Sequence, residues 1–161
     1  MKLALFLVVA VGVGIGASMP APVARPTPTA APVAPTAEQD AEPRETVLER
    51  SPAGHFYAYA EVNGAPVRFL VDTGASVVAL SEEDARRAGL LFDTGLYRPI
   101  GHGASGVVRG QEVRLDRIAL DGKRAADLRA VVVEGAQVSL LGQNYLRGLD
   151  VRIKGDRMTL R

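Results

Sequence analysis

The sequence predicts a mostly β fold, a small closed or barrel-like sheet with two short helices. Two observations carry this. Asn63-Gly64 and Asp121-Gly122 each join two apolar, β-branched-rich runs, a strong hairpin signal because such turns need positive φ. Helix signals occur only after Ser81 and after Gly142, and many short strands with so few helices suit a sheet closed on itself.

The elements follow in order. Residues 55–62 and 66–71 form the first hairpin around Asn63-Gly64, and residues 77–80 a short buried strand. Ser81 then caps a helix reaching about Ala88. Glu82, Glu83 and Asp84 fall in its first turn, where the helix dipole favours acid, and Gly89 ends it. Residues 107–120 and 123–133 make a long hairpin around Asp121-Gly122. A short helix follows Gly142, and a last hairpin pairs residues 151–153 with 158–160 around Gly155-Asp156.

The folding unit is shorter than the 161-residue chain. Residues 1–19 begin with Lys2 and continue as a charge-free apolar run to about Ala17, which reads as an export signal. The run is short for a membrane span, which needs about 20 residues, and Gly16-Ala17-Ser18 is a mediocre cleavage site. A cleaved signal and a retained signal anchor both stay open. Positive charge on the amino-terminal side keeps that end in the cytoplasm, so the rest of the chain is expected outside it. The expectation is an exported protein, either inner-membrane-anchored with a periplasmic domain or secreted. Seven of the ten prolines fall in residues 20–51, which read as a Pro/Ala-rich disordered tether. Residues 52–161 are the expected folded domain.

Composition narrows the function. With 19 Lys+Arg against 18 Asp+Glu, the formal charge of +1 supplies no global field for nucleic acid or for a cationic partner. The function must therefore rest on a local site. Absence of Cys excludes a disulfide scaffold, a thiol nucleophile and a Cys-ligated metal, and two His leave little for zinc. No metal or other cofactor is expected.

The sharpest local feature runs from Arg68 to Val78: an apolar strand delivers Asp72, the backbone turns on Thr73-Gly74-Ala75-Ser76, and a second apolar strand leaves. A carboxylate at a buried strand end is costly unless donors surround it. Thr73 offers a hydroxyl, Gly74 allows close backbone approach and Ala75 takes little room. A turn-forming Asp is the plain alternative. Asp93-Thr94-Gly95 repeats the tripeptide in a surface connection, so context rather than composition distinguishes Asp72. The two Asp are only 21 residues apart, too close to belong to two lobes of one duplicated enzyme.

Phe69 to Ser76 resembles the active-site loop of aspartic proteases. Leu140-Leu141-Gly142-Gln143-Asn144 resembles their second hallmark, hydrophobic residues and a Gly opening the terminal helix, at a spacing that suits a single-lobed retropepsin. The chain is most similar to bacterial retropepsin-like proteins of clan AA, membrane-anchored and single-domain, with the resemblance covering about residues 54–161. It implies a retropepsin-like single-lobe acid-protease barrel, an aspartic endopeptidase, and a peptide or protein substrate.

Aspartic proteolysis uses two carboxylates sharing a proton, so a chain with one usable Asp must form a homodimer. The resemblance implies that Asp72 of each subunit forms the dyad, with Thr73, Gly74 and Ala75 supporting the loop. Ser76, Gly101, His102, Gly103, Gln143 and Asn144 are the implied substrate-binding residues. The termini, about residues 52–58 and 156–161, are the implied dimer interface. Two positions depart from the retroviral pattern: Ser76 and Gln143 replace a charged pair, and a hydrogen bond between them is the expected substitute. Residues 100–107, rich in Gly, are the expected flap, with an ordinary flexible loop as the alternative. His55 is expected to be structural, and Arg86, Arg87, Arg98 and Arg109 to be solvated surface charge. Without turnover, the same features describe a non-catalytic retropepsin-fold module that binds a peptide or partner at the cell envelope.

Overall fold

The computed structural model describes residues 42–103 and 106–161. The export signal, most of the tether, and Ala104 and Ser105 of the flap lie outside the described residues. Among those described, no helix is long and apolar enough to cross a membrane.

Ten strands and two short α-helices make up the domain: β1 (Thr46–Glu49), β2 (Tyr57–Val62), β3 (Ala65–Val71), β4 (Val78–Leu80), α1 (Glu82–Arg87), β5 (Arg98–Gly103), β6 (Gly106–Leu120), β7 (Lys123–Val133), β8 (Ser139–Leu141), α2 (Gln143–Leu146), β9 (Val151–Lys154) and β10 (Arg157–Leu160). Strands pair in the order β2-β3-β8-β4-β7-β6, and β2 pairs again with β6, so the sheet closes into a barrel. Phe69, Leu115, Ile118, Leu141 and Val132 are fully buried inside it.

The hairpin turns behave as the sequence predicts. Asn63-Gly64 and Asp121-Gly122 take positive φ at both residues, and β2–β3 and β6–β7 pair in unbroken antiparallel register at the turns. Ser81 caps α1 by accepting from Asp84 N, and the same hydroxyl donates to Asp84 Oδ2.

Three expectations change. Residues 46–49, assigned to the tether, form β1, because β10 presents a partner edge: Thr46 pairs with Leu160 and Glu49 with Arg157. The Lys123 ammonium fastens this segment, donating to Thr46 Oγ1 (2.9 Å) and to the Arg44 carbonyl. Burial lowers the pKa of Lys123, and the neighbouring Asp121 carboxylate offsets part of that shift. Second, residues 100–103 of the expected flap are not the ordinary flexible loop of the alternative: they are the end of β5, paired with β6 across the tip of a projecting hairpin. Third, residues 157–160 of the expected dimer interface have no unpaired strand edge. β10 is the centre of a three-stranded sheet, β1-β10-β9, and pairs along both edges within its own chain.

Candidate active site

β3 delivers Asp72 and β4 leads away from the following loop. Between these strands lies β8, parallel to β3 (Val71 opposite Leu141) and antiparallel to β4 (Ala79 opposite Leu140). The Asp72 N–H continues this ladder by donating to the Leu141 carbonyl at 3.1 Å. Asp72 is half-buried as a residue, and its Oδ1 accepts from Gly74 N at 2.8 Å.

The loop is then fastened to the start of α2. Gln143 N donates to Ala75 O (2.7 Å) and Asn144 N to Ser76 O (3.2 Å). This approach requires glycine at 142, where a Cβ would stand 2.2 Å from the Val77 carbonyl oxygen. Side chains add further ties. Gln143 Nε2 donates to Thr73 O at 2.9 Å, Asn144 Oδ1 accepts from Val78 N at 2.9 Å, and Asn144 Nδ2 donates to Arg129 O at 2.6 Å.

Two expected roles shift accordingly. Both polar ends of the Asn144 amide are engaged by its own chain, so Asn144 braces the loop. Gln143 reaches the Thr73 carbonyl instead of completing a side-chain pair with Ser76, because its amide extends along the loop's backbone. Thr73 and Gly74 are exposed at the loop surface, and Ala75 is half-buried.

Above the loop lies a cleft of about 350 Å³. Gly74, Ala75 and Ser76 face it from the Asp72 loop, and Ile100, Gly101 and His102 face it from the β5–β6 hairpin. Gly103 lies beyond, at the hairpin tip opposite Gly106. The base of the hairpin is anchored: Arg109 Nη2 donates to Tyr97 O at 2.7 Å, and Arg109 Nε pairs with Glu134 at 3.1 Å. Arg109 is thus part of the hairpin's support rather than merely solvated charge. Arg86 also has a packing role, over the Phe92 ring at 5.1 Å, while Phe92 stacks on Tyr97.

Sequence reasoning missed the cleft walls, Val108, Val131, Val133 and Leu140. Val131 and Val133 alternate along β7, and Leu140 lies between inward-facing Ser139 and Leu141 on β8. This period-2 pattern marks a face but not the opening toward which that face turns.

The arrangement is an apolar cleft lined by the residues that follow Asp72, on a loop held by its own backbone, beneath a projecting hairpin. A family model described as "gag-polyprotein putative aspartyl protease" matches residues 58–148, a span that holds Asp72 and Gly142. An uncharacterized protein of Rickettsia prowazekii (strain Madrid E) is 33% identical over 125 residues, 77% of this chain and 52% of that protein. An uncharacterized protein from the cobV 5′ region of Sinorhizobium sp is 32% identical over 121 residues, 73% of this chain and 52% of that protein. The chain therefore spans about half the length of the curated relatives it matches. Among solved structures, a retropepsin-like aspartic protease from Rickettsia conorii matches with a TM-score of 0.61 at 32% identity, covering 74% of this chain and 90% of that one.

Proposed function

The chain belongs to the gag-polyprotein aspartyl protease family, with a retropepsin-like fold, and from that premise we propose that it is an aspartic endopeptidase acting as a homodimer. The observation that carries this reading is the placement of the cleft between the loop that begins at Asp72 and the β5–β6 hairpin. A peptide laid there would have the Asp72 loop beneath it and the hairpin above.

One chain contributes one such carboxylate, so the second comes from a second copy. With the two Asp72 groups sharing one proton, the ionised one takes a proton from water as the water oxygen attacks the scissile carbonyl carbon. The protonated one donates to the carbonyl oxygen. Collapse of the tetrahedral gem-diol breaks the C–N bond: the amine leaves with the proton that the dyad took from water, and a diol hydroxyl returns its proton to the other carboxylate as the product carboxyl forms, which restores the shared proton. Loop rigidity supports this chemistry, because the backbone ties from Gln143 and Asn144 hold the loop without using the carboxylate itself. The apolar, charge-free segment behind Lys2 supports an exported domain, held at the membrane or released by cleavage.

The test is peptide cleavage by the purified full chain across pH. Cleavage is expected to be favoured by acid, where the pair holds one proton. Asp72→Asn is expected to lower turnover by at least about 10³-fold without unfolding the chain. Unchanged cleavage by Asp72→Asn would sink the proposal. Equal peptide binding by wild type and Asp72→Asn, with turnover in neither, identifies a non-catalytic binding module instead.

A further inference from the structure

The cleft beside the Asp72 loop changes character at one end. β7 runs along it in parallel register with β4, Val78 opposite Ala130 and Ala79 opposite Val131. Ala130 and Val132 are fully buried in the core, and Val131 and Val133, on the other face of β7, line the cleft. Strand side chains alternate, so Arg129 shares the face of Val131 and Val133, one pleat of about 6.6 Å beyond Val131. Continuing the β4–β7 register by one residue sets Arg129 opposite Val77, which also lines the cleft. A guanidinium is thus carried at the border of the apolar cleft, with Val77 on one side and Val131 on the other.

β6 supplies charged neighbours on the same face. Arg114 lies opposite Arg129, and Glu112 lies opposite Val131. Arg114 is committed to Asp127: its Nη2 stands 2.5 Å from Asp127 Oδ2 and donates to the Asp127 carbonyl at 3.0 Å. Arg129 is exposed, and among the described residues no carboxylate stands within ion-pair distance of it. Its main chain, by contrast, is fixed. The Arg129 carbonyl accepts from Asn144 Nδ2 at 2.6 Å, and the other end of that amide holds Val78 N. The strand that carries this cation is therefore tied to the same brace as the Asp72 loop.

We propose that Arg129 gives the cleft a preference for peptides with an acidic side chain two residues away from the apolar side chain seated in the cleft. The proposal rests on the reading of this cleft as the place where a peptide substrate lies. An extended peptide repeats its side chains on one face every two residues, the same interval that separates Val131 from Arg129. No Lys, Arg, Asp or Glu lines the cleft itself, so a charged side chain buried there is costly. Glu112, opposite Val131, adds repulsion against an acid at the cleft and confines the preference to the Arg129 position. A basic side chain at that outer position would meet Arg129 with Arg114 behind it, a like-charge arrangement.

The test uses the full chain and fluorogenic peptides with one apolar pair at the centre, Ala elsewhere, and a single Glu, Gln or Lys moved along the sequence. Wild type is expected to cleave the peptide with Glu two positions from the cleft residue about three- to fivefold more efficiently in kcat/KM than its Gln counterpart. The Lys peptide should be cleaved less well than either. Arg129→Gln should bring the Glu-to-Gln ratio to about one, and Arg129→Glu should turn the preference to Lys, a reversal that loss of a merely structural side chain does not produce. Added salt should shrink the wild-type ratio, because exposed charge pairs are screened. Equal ratios in wild type and both variants at every position overturn the assignment; if turnover still requires Asp72, the protease reading survives without it. Should no peptide be cleaved, the same peptides are titrated against the chain by fluorescence anisotropy. A Glu preference that Arg129→Glu reverses then keeps Arg129 as a recognition residue and removes the protease reading, whereas absent binding or absent preference overturns the assignment.

Discussion

Asp72 and Asp93 make the same hydrogen bond: Gly74 N donates to Asp72 Oδ1 and Gly95 N to Asp93 Oδ1, each at 2.8 Å. Asp-Thr-Gly thus encodes a tight side-chain-to-backbone turn in both places. The difference lies in what the turn is joined to. Asp72 extends the β3–β8 ladder beside a cleft, whereas Asp93 caps a single 3₁₀ turn at Thr94–Leu96, with its N–H donated to Gln111 Oε1.

This contrast predicts two outcomes at Asp93. Asn accepts the same bond, so Asp93→Asn should change stability by less than about 0.5 kcal/mol and leave peptide turnover intact, whereas Asp93→Ala should cost about 1 kcal/mol. Urea denaturation and the peptide assay check both. Loss of turnover in Asp93→Asn would overturn the distinction between the two turns.

Gly142 should tolerate no side chain. A Cβ there would meet the Val77 carbonyl oxygen at 2.2 Å and the Ala75 carbonyl oxygen at 3.0 Å, both backbone atoms. Gly142→Ala is expected to destabilise the domain by about 3 kcal/mol or more and to abolish turnover. Gly148→Ala, whose Cβ would sit 3.6 Å from its nearest neighbour, is the mild control in the same denaturation experiment.

Asn144 is a positioning residue. Replacing it by Ala leaves Val78 N–H and Arg129 C=O without their side-chain partner, which should cost about 1–3 kcal/mol. Its effect on catalysis should fall on kcat more than on KM, because the side chain braces the loop. A change confined to KM in steady-state kinetics would refute this role.

Tyr97 should shape the alkaline limit of stability. Its hydroxyl is buried without a hydrogen-bond partner among the described residues. Burial and the nearby Glu82 carboxylate push its pKa up to about 12 from an unfolded value of 10.0. Because the folded pKa is raised, the unfolded chain releases the proton first. The contribution is fully present below pH 10 and is lost as pH rises through about 12. Tyr97→Phe should flatten the fall in stability across that window, and at pH 7 it should be neutral or stabilising by about 1 kcal/mol. Melting curves from pH 7 to 12 on wild type and variant provide the check; identical alkaline slopes would count against the assignment.

Local chemistry was legible wherever a few adjacent residues were enough. Asn63-Gly64 and Asp121-Gly122 made their turns because positive φ is a property of the turn residues themselves. Ser81 capped its helix because the donor it satisfies is three residues away. Asp72 stood out from Asp93 through the apolar residues on either side, and Gly142 through the hydrophobic pair before it.

Other features depended on groups far apart in the chain. β1 exists because β10, more than a hundred residues later, offers a hydrogen-bonding edge, and nothing within Thr46–Glu49 announces that partner. Asn144 braces the loop because folding brings Val78 and Arg129 to its two ends. The sealing of β10 and the exposure of β9 are likewise consequences of pairing order. Turn and cap energies act over a few bonds and are written in short sequence, whereas strand partnership emerges only when distant segments compete for the same backbone hydrogen bonds.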